Sequence, residues 1–231
     1  MDDPLAQILE KFNRKERNLL IRDILGCPGE ELCLSDDFCK RLESAVGISP
    51  KYLKRAWWAT DFHFDWLAGA LLTFLTGGNA EEPKSCFELV KGNQEDLDLI
   101  IAAYEPTADT RHHLILIEAK AYRYFSPKQH NSKVNRSDRL YEFYEGLKSE
   151  SKHKICFYYV HFSAGPHENI PGPKNIPQFH LELKLPGARL AVMRCDKDGT
   201  RDANGGHWRI EPFGGPRASC WRNQSAKADP A

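Results

Sequence analysis

Asp98, Glu118 and Lys120 are the residues of this sequence best placed to do chemistry together. They lie in two apolar runs, Leu97-Asp98-Leu99-Ile100-Ile101 and Ile115-Leu116-Ile117-Glu118-Ala119-Lys120. Both runs predict strands, in which side chains alternate between faces. Glu118 and Lys120 then share a face and Ala119 points away. If the strands form an antiparallel hairpin, Asp98 and Glu118 have their midpoint at Ala108, inside the polar stretch from Glu105 to His112. That register sets Asp98 across from Glu118, Ile100 across from Leu116 and Leu99 across from Ile117. Facing side chains have Cβ atoms about 5 Å apart. Two carboxylates so close repel unless a cation lies between them. An all-oxygen ligand set suits Mg²⁺ or Mn²⁺. Such an ion stabilises charge on a phosphate, and a lysine beside it can orient the attacking water. These are the parts of a metal-dependent phosphodiesterase.

The elements that must position these residues are legible in outline. Apolar spacing predicts a helix over 5–26, with Gly26 as its stop. Ser35 followed by Asp36 and Asp37 opens a helix to Val46, and Ser49-Pro50 starts another. A further helix is expected from Thr60 to Leu75, ended by Gly77-Gly78. Strands are expected at Cys86–Val90, Leu97–Tyr104 and His113–Tyr122. Ser126-Pro127 begins a helix to Lys148, and Lys154–Phe162 is a strongly β-prone strand. Gly165 to Pro177 reads as a loop, residues 178–213 as two or three short strands, and the tail from 214 as loose. The domain reading is a helical N-terminal extension over 1–59, an α/β domain over 60–213, and a tail over 214–231. Its core is a mixed β-sheet flanked by helices in the order α-β-β-β-α-β.

Asp, then a hairpin, then Glu-x-Lys, in that order of elements, resembles the PD-(D/E)xK (restriction-endonuclease-like) nuclease superfamily. The resemblance covers about residues 60–162, and Leu97 stands where the superfamily's name has proline. It implies a restriction-endonuclease-like core and a Mg²⁺-dependent (or Mn²⁺-dependent) deoxyribonuclease, endo or exo unresolved. By this resemblance Asp98 and Glu118 are metal ligands, the Ala119 carbonyl is a further ligand, and Lys120 is the catalytic lysine. A third acid is expected on the helix before the sheet: Asp65, with Asp61 one turn earlier as the alternative. The following helix brings Gln129, Lys133 and Arg136 to one face, where a basic stripe could grip phosphates. The alternative reading is a nuclease-like module that binds nucleic acid or a protein partner without cutting. Glu118→Ala is expected to remove cleavage and leave the fold intact.

Glu-x-Lys alone carries no information. It occurs four times, at Glu82, Glu118, Glu150 and Glu182, and only the second follows an Asp-bearing strand at hairpin distance. Composition sets the outer bounds. The 231 residues carry 32 basic and 32 acidic side chains, so a generally basic nucleic-acid coat is excluded while a local basic patch is not. The 41% hydrophobic and 28% charged content is that of an ordinary globular chain. The ten-residue run from Trp66 to Leu75 is too short to span a bilayer, so no membrane partner is expected. Seven cysteines without knuckle spacing read as reduced thiols in a cytoplasmic protein. DNA is the expected partner. A homodimer would suit double-strand cutting, and no interface for one is legible.

Overall fold

A computed structural model describes residues 3–25, 32–77, 95–106, 111–120, 127–148, 153–163, 170–183, 189–198, 200 and 202–213. The expected strand at Cys86–Val90, the Ser126 cap and the tail from 214 lie outside these residues. The chain divides into two units: one built from 1–119, 125–162 and 169–181, the other from 120–124, 163–168 and 182–231.

The first unit opens with α1 (Pro4–Phe12) and α2 (Glu16–Leu25) where the apolar spacing predicts one helix. Asn13 makes the break. Its backbone closes α1, and its side-chain oxygen accepts the Lys15 amide at 3.3 Å, which opens the next helix. Asp3 caps α1 by accepting the Leu5 amide. Helix α3 (Asp36–Val46) starts at the Ser35 cap and stops at Gly47, whose φ of 75° is left-handed. The short α4 (Pro50–Leu53) follows.

Strand β1 (Trp57–His63) and helix α5 (Phe64–Thr76) replace the single helix expected over 60–75. The reason lies at Asp61, which holds a φ of 52° within β1. Burial falls on Trp57 and Ala59, then on Phe62 and Phe64. The step of three from Ala59 to Phe62 imitates helical spacing, so the period alone reads as helix.

Strands β2 (Asp96–Glu105), β3 (Arg111–Lys120), β4 (Lys154–Ser163) and β5 (Gln178–Glu182) complete a five-stranded mixed sheet in the order β1-β2-β3-β4-β5. The β1–β2 and β2–β3 pairs are antiparallel. In the hairpin Leu99 pairs with Ile117 and Ile100 with Leu116, the register required by a midpoint at Ala108. Helix α6 (Pro127–Leu147) connects β3 to β4.

Helices cover both faces of the sheet. Leu5 and Leu9 of α1, Leu67 and Leu71 of α5, and Leu140 and Tyr144 of α6 share one core with Ile100, Leu116, Phe157 and Tyr159. Leu42 of α3 and Leu53 of α4 share a second with Ile101, Ile115, Ile117 and Val160. Alternation along β2 and β3 feeds the two cores by turns, as a sheet buried on both sides requires. The result is an α/β fold. The second unit contains a two-stranded antiparallel ribbon, β6 (Arg189–Cys195) with β7 (His207–Phe213).

A candidate metal site at the end of the hairpin

Asp98 and Glu118 stand one step beyond the last ladder pair, Leu99 with Ile117. The same register carried forward sets them opposite each other. The carboxylate of Asp98 takes the place of the next ladder bond: its Oδ2 accepts the Ala119 amide at 2.7 Å. Asp98 is therefore fixed to the backbone of the strand that carries Glu118. Nothing in the residue spacing announces this bond.

Glu118 is 1% exposed, and its partner is Lys133 of α6. The Lys133 ammonium, on a residue 4% exposed, donates to Glu118 Oε1 at 2.8 Å and to Oε2 at 2.7 Å. It also lies 3.8 Å from Asp98 Oδ1. Two carboxylates thus share one cation, and that cation is a side chain of the protein. Burying either charge alone would cost several kcal/mol, about as much as their mutual attraction returns.

Tyr159 of β4 belongs to the same face. It is fully buried, and its hydroxyl has no hydrogen-bond partner among the described residues. Burial raises its pKa well above the usual phenol value, and the charges on Glu118 and Asp98 raise it further. His161 packs against Tyr159 with ring centroids 5.1 Å apart, and His130 of α6 lies 5.2 Å from His161.

The other acids are engaged elsewhere. Asp65, at the start of α5, is 3.4 Å from Arg136, whose Nε is 3.3 Å from Glu95. Asp61 is 3.4 Å from the exposed Arg17. Its register position faces Asp98, yet the pairing skips from Thr60 to Phe62. Asp96 bonds Lys15 at 2.7 Å and contacts His63. Among the described residues no three His, Cys, Asp or Glu side chains converge as a metal cluster.

The expected basic stripe on α6 is open to solvent only in part. Of Gln129, Lys133 and Arg136, only Gln129 is exposed. Lys133 and Arg136 point at carboxylates brought in from β3, α5 and the start of β2, so they are counter-ions and not an open phosphate grip. A finer reading of the helix could have found this. His130, Lys133, Val134, Ser137, Leu140 and Tyr144 are all buried, at i, i+3, i+4, i+7 spacing, so Lys133 lies on the packed stripe. Lys120 is the last residue of β3 and is partly exposed.

The donor set suits a hard divalent ion held by few protein ligands. Asp98 and Glu118 bring two negative charges to one point, beside the Lys133 ammonium. Mg²⁺ is usually bound by one or two carboxylates, with waters and substrate phosphate filling the rest. The orphaned Tyr159 hydroxyl marks a polar position that the present bonds leave unused.

Among the described cysteines, Cys39, Cys156 and Cys195 are free thiols. Among the described residues no helix is long and apolar enough to cross a membrane. Compared with known proteins, the chain matches no family model, no curated protein and no solved structure.

Proposed function

We propose that the chain is a metal-dependent phosphodiesterase that cuts nucleic acid, DNA in the first instance, at the Asp98–Glu118 site. The observation that carries this reading is the pair of facing carboxylates at one hairpin end, sharing a single buried cation. The β2–β3 hairpin followed by α6 and β4 supports a restriction-endonuclease-like core. Helix α5 stands where the expected order begins, with β1 before it as an unexpected strand, and the expected strand over 86–90 lies outside the described residues.

In this reading Asp98 and Glu118 hold Mg²⁺ or Mn²⁺ with the Ala119 carbonyl, and Lys120 orients the attacking water. A bound divalent ion supplies Lewis-acid stabilisation of charge on the phosphate. The Ala119 amide keeps Asp98 aimed, so one ligand is preorganised by the backbone. Asp65 serves the site indirectly, by holding Arg136 on the helix that carries Lys133.

One observation favours a second reading. Lys133 already pairs with Glu118, which is what a nuclease-like module that binds without cutting would need. Supercoiled plasmid, linear duplex, single-stranded DNA and RNA incubated with Mg²⁺, Mn²⁺ or EDTA separate the two. Metal-dependent cutting by wild type that disappears in Asp98→Asn and in Lys120→Ala is the expected result. Binding without cutting on every substrate overturns the enzyme reading in favour of the module.

A further inference from the structure

We infer that Lys133 is an exchangeable counter-ion: it holds Glu118 and Asp98 in the metal-free protein, gives them up to a divalent cation, and is then free to meet a phosphate. This rests on the metal-site reading above and adds a coupling to it.

Glu118 is almost wholly buried, and both of its oxygens bond one ammonium. The same ammonium approaches Asp98 at 3.8 Å, close enough for Coulomb attraction but too long for a hydrogen bond. Lys133 therefore meets Asp98 less closely than Glu118. A divalent ion would bring more positive charge than Lys133 and could meet both carboxylates at bonding distance. Two positive centres at one point repel, so the lysine and the metal exclude each other.

A second observation concerns Tyr159. Tyr159 is fully buried with a hydroxyl that donates to nothing among the described residues, in a part of the core that feels the charges of both carboxylates. A buried donor without an acceptor is costly. With both Glu118 oxygens engaged by Lys133, the arrangement leaves this neighbouring donor idle. A site built only for the lysine pair would have no use for it. A site with two states would, since release of Lys133 changes which oxygens are open.

The side chain can make the exchange. Lysine is a compact charge on a flexible four-carbon stem with three rotatable donors, so it can leave one anion for another without moving α6. Metal and phosphate then help each other: metal frees the ammonium that phosphate attracts, and by linkage phosphate favours the metal-bound form.

Mn²⁺ binding to the purified protein, without nucleic acid, is measured through loss of the free-ion electron paramagnetic resonance signal. Wild type, Lys133→Met, Lys133→Gln and Glu118→Gln are compared. The expected result is binding roughly tenfold or more tighter in Lys133→Met and Lys133→Gln, because a competing positive charge is gone, and loss of binding in Glu118→Gln. Amine acetylation of wild type, followed by mass spectrometry with exposed Lys40 as internal reference, reads the lysine itself without any substitution. Mg²⁺ is expected to raise the acetylation of Lys133 relative to Lys40. Unchanged or weaker Mn²⁺ binding in the Lys133 variants, or unchanged acetylation in a wild type that binds Mn²⁺, overturns the exchange and leaves the nuclease reading standing. Absence of Mn²⁺ binding in all four proteins overturns both.

Discussion

Lys133 and Glu118, 15 residues apart in sequence, meet through two hydrogen bonds, 2.7 and 2.8 Å long, in a part of the core closed to solvent. This relationship changes what a substitution at Glu118 measures. From sequence alone Glu118→Ala is expected to leave the fold intact. With Lys133 buried against it, Glu118→Ala strands an ammonium in the core, at a cost of about 3–5 kcal/mol. The double variant Glu118→Leu with Lys133→Met replaces both charges with apolar groups and is expected to recover most of that loss. Urea unfolding of wild type, the two single variants and the double variant checks this. A double variant as unstable as Glu118→Ala would mean that the pair contributes through more than charge balance.

Asp61 is the next test. A non-glycine residue with φ near 52° is uncommon, and aspartate is among the few that tolerate it. Its ion pair to Arg17 is long and largely solvated, so it contributes little. Asp61→Gly is expected to be neutral or mildly stabilising. Asp61→Val is expected to cost about 1–2 kcal/mol or more, since a β-branched side chain cannot sit comfortably there. Thermal unfolding of the two variants gives opposite signs if the backbone, and not the carboxylate, is what matters.

The second core carries a pH dependence. His113 bonds Tyr158 at 3.1 Å and Glu105 at 3.2 Å, and burial pushes its pKa below the ordinary value of 6.5, against the pull of Glu105. The folded state therefore prefers the neutral ring, and the unfolded chain takes up the proton first as pH falls. The contribution of His113 is fully present above about pH 6.5 and is lost as pH drops below it. The unfolding temperature of wild type should fall between pH 7 and pH 5, and that slope should be smaller in His113→Gln. Equal slopes would place the acid sensitivity elsewhere, with His153, which burial also lowers, as the next residue to replace.

The hairpin was legible because two independent signals agreed. The apolar runs fixed the strands, and the spacing of Asp98 and Glu118 about a polar turn fixed the register that the ladder shows. Helix α3 was legible at its start, because Ser35 followed by Asp36 and Asp37 is a strong cap. Strand β1 was not, since one left-handed residue shifts its alternation and produces helical spacing. The split between α1 and α2 was missed because Asn13 acts as a cap through local bonds that hydrophobic period does not report. At the site, the facing carboxylates were visible in the sequence. Their bond to the Ala119 amide and the inward turn of Lys133 were not, because both depend on how α6 lies on the sheet.

Asp3 does two things at once, and the second sets an order of events. Its Oδ1 caps α1 through the Leu5 amide and also meets Nδ1 of the fully buried His112, 109 residues further along, at 2.9 Å. A cap forms as soon as its own helix does, but a bond across 109 residues must wait until β3 is in place and the loop between them is closed. The link is a late arrival in folding and an early casualty of unfolding only if the strand lets go first. Asp3→Asn keeps a capping oxygen and removes the charge from His112. Stopped-flow refolding should show its folding rate close to wild type and its unfolding rate raised, the pattern of a contact absent from the transition state. The start of the chain would then act as a fastener closed last, which slows escape from the native state without hastening arrival.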